Sequence, residues 1–234
     1  MQNTNIAIIL LGIIVIILFG AVVLTPSPQG EVIVNEAPSQ VAEEATPSPE
    51  QTQEIPQTPS EVPQIPAQDS VIVVIETSKG NIEVELDSEH APATVENFLV
   101  YVDEGFYSGT VFHRVIDGFM VQGGGFTANG SEKATHNPIK LESNNGLKNT
   151  RGTIAMARTN YPHSATSQFF INVVDNSFLD YSSAANPGYA AFGRVISGMD
   201  VVDQIKSVPV TTKHGMENWP AEEVEIIKIY RKEN

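Results

Sequence analysis

Thr-Val-Phe-His-Arg-Val-Ile-Asp-Gly-Phe-Met-Val-Gln-Gly-Gly-Gly-Phe, residues 110–126, is the stretch on which the reading of this chain turns. Residues 111–116 are β-branched or aromatic, and Asp117-Gly118 is a strong turn dipeptide. Residues 119–122 resume an extended pattern that Gly123, Gly124 and Gly125 then break. The pattern is that of a hairpin of two short strands. Alternation puts Phe112 and Arg114 on one face of the first strand, and Met120 and Gln122 on one face of the second. A cation, a thioether and a carboxamide are therefore expected on a common surface. The same alternation sends Phe119 to the interior. Residues 123–128 fit G-x-G-x-x-A formally, yet no helical pattern follows and no βαβ unit surrounds them, which argues against a dinucleotide site.

The flanking sequence predicts more of the same architecture. Residues 70–77 form a β-branched run, Ser78-Lys79-Gly80-Asn81 a turn, and residues 81–86 a strand in which Ile82, Val84 and Leu86 alternate with polar neighbours. Pro92 suits the first position of a helix, and Val95, Phe98, Leu99 and Val102 recur at helical spacing until Gly105. Residues 127–151, rich in Asn, Gly and Lys, read as a long loop. Strands are expected over 153–157, 168–173 and 190–195, and a second helix over 198–205 with Met199, Val202 and Ile205 on one face. A last strand over 224–230 joins the edges. Many short strands and only two helices imply an all-β domain, a closed antiparallel β-barrel with helices over its ends.

Upstream the composition changes abruptly. Residues 6–24 are nineteen positions without a charge, long enough as a helix to span a bilayer core of about 30 Å. The run exceeds the usual apolar core of a signal peptide and ends without a clear small-x-small site, so residues 1–24 are read as an uncleaved transmembrane signal anchor. Secretion after cleavage is the alternative. Residues 25–69 hold nine prolines, eight acids and no base, the composition of a disordered spacer whose reach lies between roughly 40 and 140 Å. The folded domain is expected over 70–234. Of the net charge of −15, the spacer carries −8, and the domain sets 20 acids against 13 bases, so nucleic acid is excluded as a partner. The chain has no cysteine, which removes disulfides, thiolate nucleophiles and cysteine metal sites. His90, His113, His136, His163 and His214 lack metal-ligand spacing, and no nucleophile elbow or paired-carboxylate motif occurs.

The run Phe-His-Arg-Val-Ile-x-Gly-Phe-Met-Val-Gln-Gly-Gly over 112–124 resembles the signature of the cyclophilin family of peptidyl-prolyl cis/trans isomerases. Asn-Gly-Leu-Lys-Asn-Thr-Arg-Gly-Thr-Ile-Ala-Met-Ala-Arg-Thr (145–159), Pro-His-Ser-Ala-Thr-Ser-Gln-Phe-Phe-Ile-Asn-Val (162–173) and Asp-Asn-Ser-Phe-Leu (175–179) are similar to its bacterial-type branch. The resemblance covers residues 70–234 and implies an eight-stranded barrel with the active groove on its outer surface. By position it implies a catalytic group of Arg114, the cation, with Gln122 and His113. It puts Phe119, Met120, Phe170 and Leu179 around a proline pocket, and Gln168 and the backbone of Ala157, Arg158 and Thr159 along the peptide. Phe178 stands where cyclosporin-sensitive members carry tryptophan, so weak binding of that drug is expected. Tyr189 replaces a histidine common in eukaryotic members and Gly125 an acid. Phe178 and Tyr189 are counted among the substrate-binding residues, and the two replacements are expected to leave the cation and the pocket untouched and to bear on substrate preference more than on activity. His113 is read as much as a hydrogen-bonding support as a participant, since the reaction needs no proton transfer.

The activity thus expected is rotation of X-Pro bonds in extracytoplasmic polypeptides, assisting their folding, by a monomer with no cofactor and a membrane contact through the N-terminal helix. The rival reading is a tethered proline-peptide binding module or holdase with little turnover. Retention of both Arg114 and Gln122 argues against it, because binding alone needs the apolar pocket more than the cation.

Overall fold

Val71–Thr77 (β1) and Gly80–Leu86 (β2) pair residue for residue, from Val71 opposite Leu86 to Thr77 opposite Gly80. Their alternate positions Val73, Ile75, Ile82 and Val84 are all fully buried. The structure, a computed structural model, describes residues 71–233. The anchor expected over 1–24 and the spacer over 25–69 lie outside the described residues. Among the described residues no helix is long and apolar enough to cross a membrane.

Pro92–Asp103 (α1) begins on its proline as expected and buries Val95, Phe98, Leu99, Tyr101 and Val102. Its free N–H groups are taken up by a distant carboxylate. Glu142 accepts from Ala93 N at 3.2 Å and from Thr94 N at 2.8 Å, which satisfies two donors that a helix start leaves open. Thr110–Ile116 (β3), Met120–Thr127 (β4), Thr153–Met156 (β5), Phe169–Asn172 (β6) and Ala191–Ser197 (β7) follow. Met199–Lys206 (α2) then leads to Val210–Lys213 (β8), Met216–Pro220 (β9) and Glu225–Arg231 (β10).

Eight strands close a barrel in the order β1-β10-β3-β4-β6-β5-β7-β2, every pairing antiparallel. The first and last strands are neighbours, so β10 removes the open edge that β1 would otherwise present. Phe112, Val121, Ile154, Phe169, Ile171 and Phe192 fill the interior. The apolar faces of both helices join the same cluster, with Phe98 meeting Phe169 edge-on at 5.7 Å.

Three local expectations are corrected. β4 does not stop at Gln122 but runs through all three glycines to Thr127, because the strand needs them there. Between Thr110 and Phe112 β3 advances two residues while β4 covers four, and the surplus passes through Gly124 at φ 83°, open to glycine without strain. Between Phe112 and Arg114 the surplus is on β3: β4 moves only from Gly123 to Gln122, leaving His113 as the extra residue of a bulge. That bulge shifts the parity of the strand. Phe112 and Val115 therefore lie in the barrel core, whereas Arg114 and Ile116 face outward, so Phe112 and Arg114 do not share a face.

The third correction is a hairpin that the sequence did not announce. β8 and β9 form a separate two-stranded sheet, turning through His214 and Gly215, both at positive φ (55° and 78°), the geometry of a two-residue hairpin loop. Trp219 of β9 is fully buried against Phe126 and His113, with ring centroids 6.4 and 6.0 Å away.

Candidate active site

A second apolar cluster lies apart from the barrel interior, on the outward side of β4, β5, β6 and β7. Met120, Ala155, Phe170, Leu179 and Ala191 form its floor, and Ile116, Phe119, Leu147, Ala157 and Tyr189 pack around it. The alternation is clean: Phe169 and Ile171 point into the barrel and Phe170 out, as Ala155 does between Ile154 and Met156. Every residue expected to line the proline pocket is in this cluster. Phe119 reaches it because Ile116 pairs with Met120, leaving 117–119 as loop residues that strand alternation does not govern. The expectation that Phe119 faces the interior is therefore wrong. Its ring stacks on Phe178 at 5.6 Å with 29° between planes, and Phe178 itself is 64% exposed.

Arg114 stands at the rim of this pocket. Its Cζ lies 5.9 Å from the Phe119 ring centroid, and its Nη1 makes a long 3.5 Å contact with Gln122 Oε1. Gln122 Nε2 in turn donates to Gln168 Oε1 at 2.9 Å. The chain Arg114-Gln122-Gln168 fixes the amide orientations in one direction. Gly125 makes room for it, because a Cβ there would lie 2.5 Å from Gln168 Cγ. Burial lowers the guanidinium's pKa, and Tyr189 opposes that shift, but the group stays charged near neutral pH. Half burial leaves a cation in a partly desolvated setting, where its field is less screened than in water.

His113 sits to one side. It is 4% exposed, its ring 4.7 Å from Phe126, and its Nδ1 has no hydrogen-bond partner. Burial above all, with the adjoining Arg114 charge, holds its pKa down to about 4, and the nearby Val111 carbonyl and Gln168 side chain offset only part of that. The imidazole is neutral near pH 7 and packs among rings, which suits the supporting role.

The remaining residues expected along the peptide lie at the edge of the pocket cluster. Ala157 N donates to the Gln168 carbonyl at 2.9 Å, and Thr159 N donates to Ser164 Oγ at 2.9 Å. Arg158 Nε donates to the Gly188 carbonyl and Nη1 to the Thr159 carbonyl, both at 2.9 Å, while its Cζ lies 4.5 Å over the Tyr189 ring. Tyr189 meets Phe170 edge-on at 5.7 Å. Both departures from the family pattern bear on the site: Tyr189 packs against the pocket cluster, as its place among the substrate-binding residues implies, while Gly125 admits Gln168, which was not expected.

Sequence reasoning missed what holds these pieces in place. Asn149, Asn172 and Asn176 are buried and linked: Asn176 Nδ2 donates to Asn172 Oδ1 (2.7 Å) and Asn172 Nδ2 to Asn149 Oδ1 (3.3 Å). From the ends of this chain Asn176 donates to the Phe119 carbonyl at 2.9 Å, and Asn149 to the carbonyls of Leu179 (3.2 Å) and Tyr189 (3.3 Å). Three pocket residues are thereby tied through their backbone to one buried network. The available signal was Asn172 itself, an amide closing the apolar run Phe169-Phe170-Ile171.

A cleft of about 460 Å³ lies elsewhere, lined by Glu85, Asp87, His90, Lys148 and Arg194 among others. It shares Leu147 and Ala191 with the pocket cluster but contains neither Arg114 nor Gln122, so volume and chemistry point to different places. Chemistry decides, since the cleft's Glu85 and Arg194 are already paired at 2.6 Å and Asp87 and His90 at 2.9 Å. Among the described residues no group of three or more His, Asp or Glu could hold a metal ion.

A closed barrel with an apolar outer pocket and a permanent cation at its rim is equipped to grip a peptide and act on its conformation by position and field. Comparison with known proteins agrees. The family model for cyclophilin type peptidyl-prolyl cis-trans isomerases matches residues 72–231. Peptidyl-prolyl cis-trans isomerase B of Escherichia coli (strain K12) is 57% identical over 161 residues, covering 68% of this chain and 98% of that one. A peptidyl-prolyl cis-trans isomerase of Acinetobacter baylyi is 56% identical over 160 residues, covering 68% of this chain and 85% of its own. Among solved structures, a cyclophilin type isomerase of Cryptosporidium parvum superposes with a TM-score of 0.59 at 27% identity, over 70% of this chain and 99% of that one. A structure of that protein in the presence of the dipeptide Ala-Pro gives a TM-score of 0.58 at 28% identity, over the same shares. The chain belongs to the cyclophilin-type peptidyl-prolyl cis-trans isomerase family, and it is an isomerase of that type.

Proposed function

We propose that the enzyme speeds rotation of X-Pro bonds in polypeptides on the outer side of a membrane, to which residues 6–24 tether it, and thereby assists their folding. The observation that carries the catalytic part is Arg114, a half-buried cation held by Gln122 and Phe119 at the edge of an apolar pocket. Rotation is opposed by amide resonance with a barrier of about 18–20 kcal/mol, and the twisted state has a localised nitrogen lone pair that neither planar isomer has. Only contacts stronger in that state accelerate rotation. The pocket of Met120, Phe170 and Leu179 holds the prolyl ring, Gln122 and Gln168 hold the adjoining backbone, and the Arg114 guanidinium donates toward the prolyl nitrogen as its lone pair forms. No proton is transferred, in keeping with a buried His113 whose imidazole is neutral near pH 7. Cyclosporin binds weakly in this reading, since Phe178 has no ring N–H to donate.

The test uses the full-length protein in detergent micelles. If the guanidinium acts as preorganised oxyanion donors do, Arg114→Ala lowers kcat/KM roughly 10²–10³-fold while near-UV circular dichroism is unchanged. Arg114→Lys recovers only part, because an ammonium on a flexible stem lacks the planar fork. Wild-type turnover in folded Arg114→Ala protein would overturn the assignment.

A further inference from the structure

We propose that the groove favours X-Pro segments bearing a carboxylate on a residue beside the proline, and that the side chain of Arg158 is the residue that selects it. The inference rests on the isomerase reading above and adds a substrate preference to it. All five arginines of the chain are among the described residues. Three are spent on carboxylates: Arg151 on Asp203 at 2.7 Å, Arg194 on Glu85 at 2.6 Å and Arg231 on Asp103 at 2.6 Å. Arg114 and Arg158 have no carboxylate at ion-pair distance among the described residues, in a domain where acids outnumber bases 20 to 13. Both unpaired arginines are on the groove, both are half-buried, and each lies against an aromatic ring of its wall.

The fork of Arg158 is already aimed. Nε and Nη1 are committed to the Gly188 and Thr159 carbonyls, and Tyr189 supports the plane of the guanidinium from below. Nη2 has no protein acceptor among the described residues. A carboxylate on the peptide would meet a donor whose orientation costs nothing further to fix. Asp180, whose backbone lies beside Gly188, is engaged elsewhere, since it accepts from Asn149 N at 2.8 Å and faces Lys148 at 3.7 Å. The domain's overall negative charge opposes an acidic peptide at long range, but that field is screened beyond roughly 8 Å at physiological salt, so the contact decides.

The experiment compares kcat/KM and equilibrium binding for matched peptides carrying Glu or Gln immediately before or after the proline, with full-length protein in neutral detergent. A partly desolvated, charge-assisted pair predicts a Glu-to-Gln ratio of about three to ten at one of the two positions in low salt, falling toward one in 1 M salt. Arg158→Gln should bring the ratio to about one, and Arg158→Lys should keep part of it. Because the readout is a ratio within one protein, a general loss of activity in a variant does not mimic the effect. If Arg158→Gln does not fold, the salt series and Arg158→Lys still decide. A ratio of one or less at both positions in the wild type overturns the preference while turnover of the Gln peptides leaves the isomerase reading standing. A ratio unchanged in Arg158→Gln overturns the role of Arg158. Absence of turnover on every peptide sinks the isomerase reading, and the binding ratio then decides the preference by itself.

Discussion

His113 occupies the bulge that turns Arg114 out of the barrel, and its buried ring makes the fold sensitive to pH in a definite direction. In the unfolded chain a histidine takes up its proton near 6.5, whereas here it does so only at about 4. Between those values the unfolded state binds more protons, so stability is full above about 6.5 and is lost as pH falls toward 4, by at most about 1.4 kcal/mol per pH unit. Above pH 4.5 the other shifted groups do not blur this window, since Glu223, lowered chiefly by its hydrogen bond with Lys213, loses its contribution only below about 4.5. Hydrogen bonding and charge from Asp87 raise the pKa of His90, so its stabilisation is complete below 6.5 and fades only above it. Asp103 and Asp203, each lowered chiefly by an arginine, lose their contribution only below about 4. Thermal unfolding from pH 7 to 4.5 should therefore show a falling Tm in the wild type, and a distinctly shallower fall in His113→Gln whatever its absolute stability. Parallel slopes for the two proteins would show that the imidazole is not buried in the neutral form.

At the level of elements, the β8–β9 hairpin is the part whose worth is least obvious, and Trp219 gives it a measurable one. Its side chain is fully buried, against His113, Phe126 and His214, while its Nε1 has no partner. Trp219→Ala should cost about 3–5 kcal/mol by the cavity it leaves, and Trp219→Phe much less, because it also removes a buried N–H without a partner. Denaturant titrations read both, and an alanine variant within about 1 kcal/mol of the wild type would mean that the hairpin is not anchored by this ring. The hairpin was illegible for a physical reason. β8 is almost wholly exposed and so carries no alternation, and its turn is His214-Gly215 rather than the Asn-Gly or Asp-Gly that marks two-residue loops. The barrel strands were legible as short β-branched and apolar runs, with period two plain in Ile82-Val84-Leu86, whose polar neighbours face outward, and a continuous apolar run in Phe169-Phe170-Ile171, which is buried on both faces. Inside the site, alternation failed twice. It assumed no extra residue at His113, and it extended a strand over Phe119 that begins only at Met120. The pocket residues were found through the family resemblance, which carries the bulge and the loop implicitly, while the asparagine network had no period or motif to betray it.

The whole chain carries, ahead of this domain, seventy residues of quite different composition, and the proposed membrane tether rests on that difference. Nineteen consecutive uncharged residues, 6–24, match a bilayer core of about 30 Å at 1.5 Å per residue, and no clear cleavage site follows them. Transfer of so apolar a run into lipid is strongly favourable, and no lysine or arginine before Lys79 offsets it. In the proposed arrangement residues 25–69 serve as the spacer; their composition holds nine prolines, eight acids and no base, a charge unfavourable to an anionic surface. The groove would then range over a zone about 40–140 Å deep beside the membrane, a reach suited to emerging polypeptides. Intact protein should accordingly sediment with membranes and resist extraction by carbonate or high salt, and protease added outside intact cells should cut between residues 25 and 69. Complete protection from that protease would reverse the orientation. An N-terminal sequence of the mature protein beginning at Ala21 or later would replace the tether with a secreted enzyme.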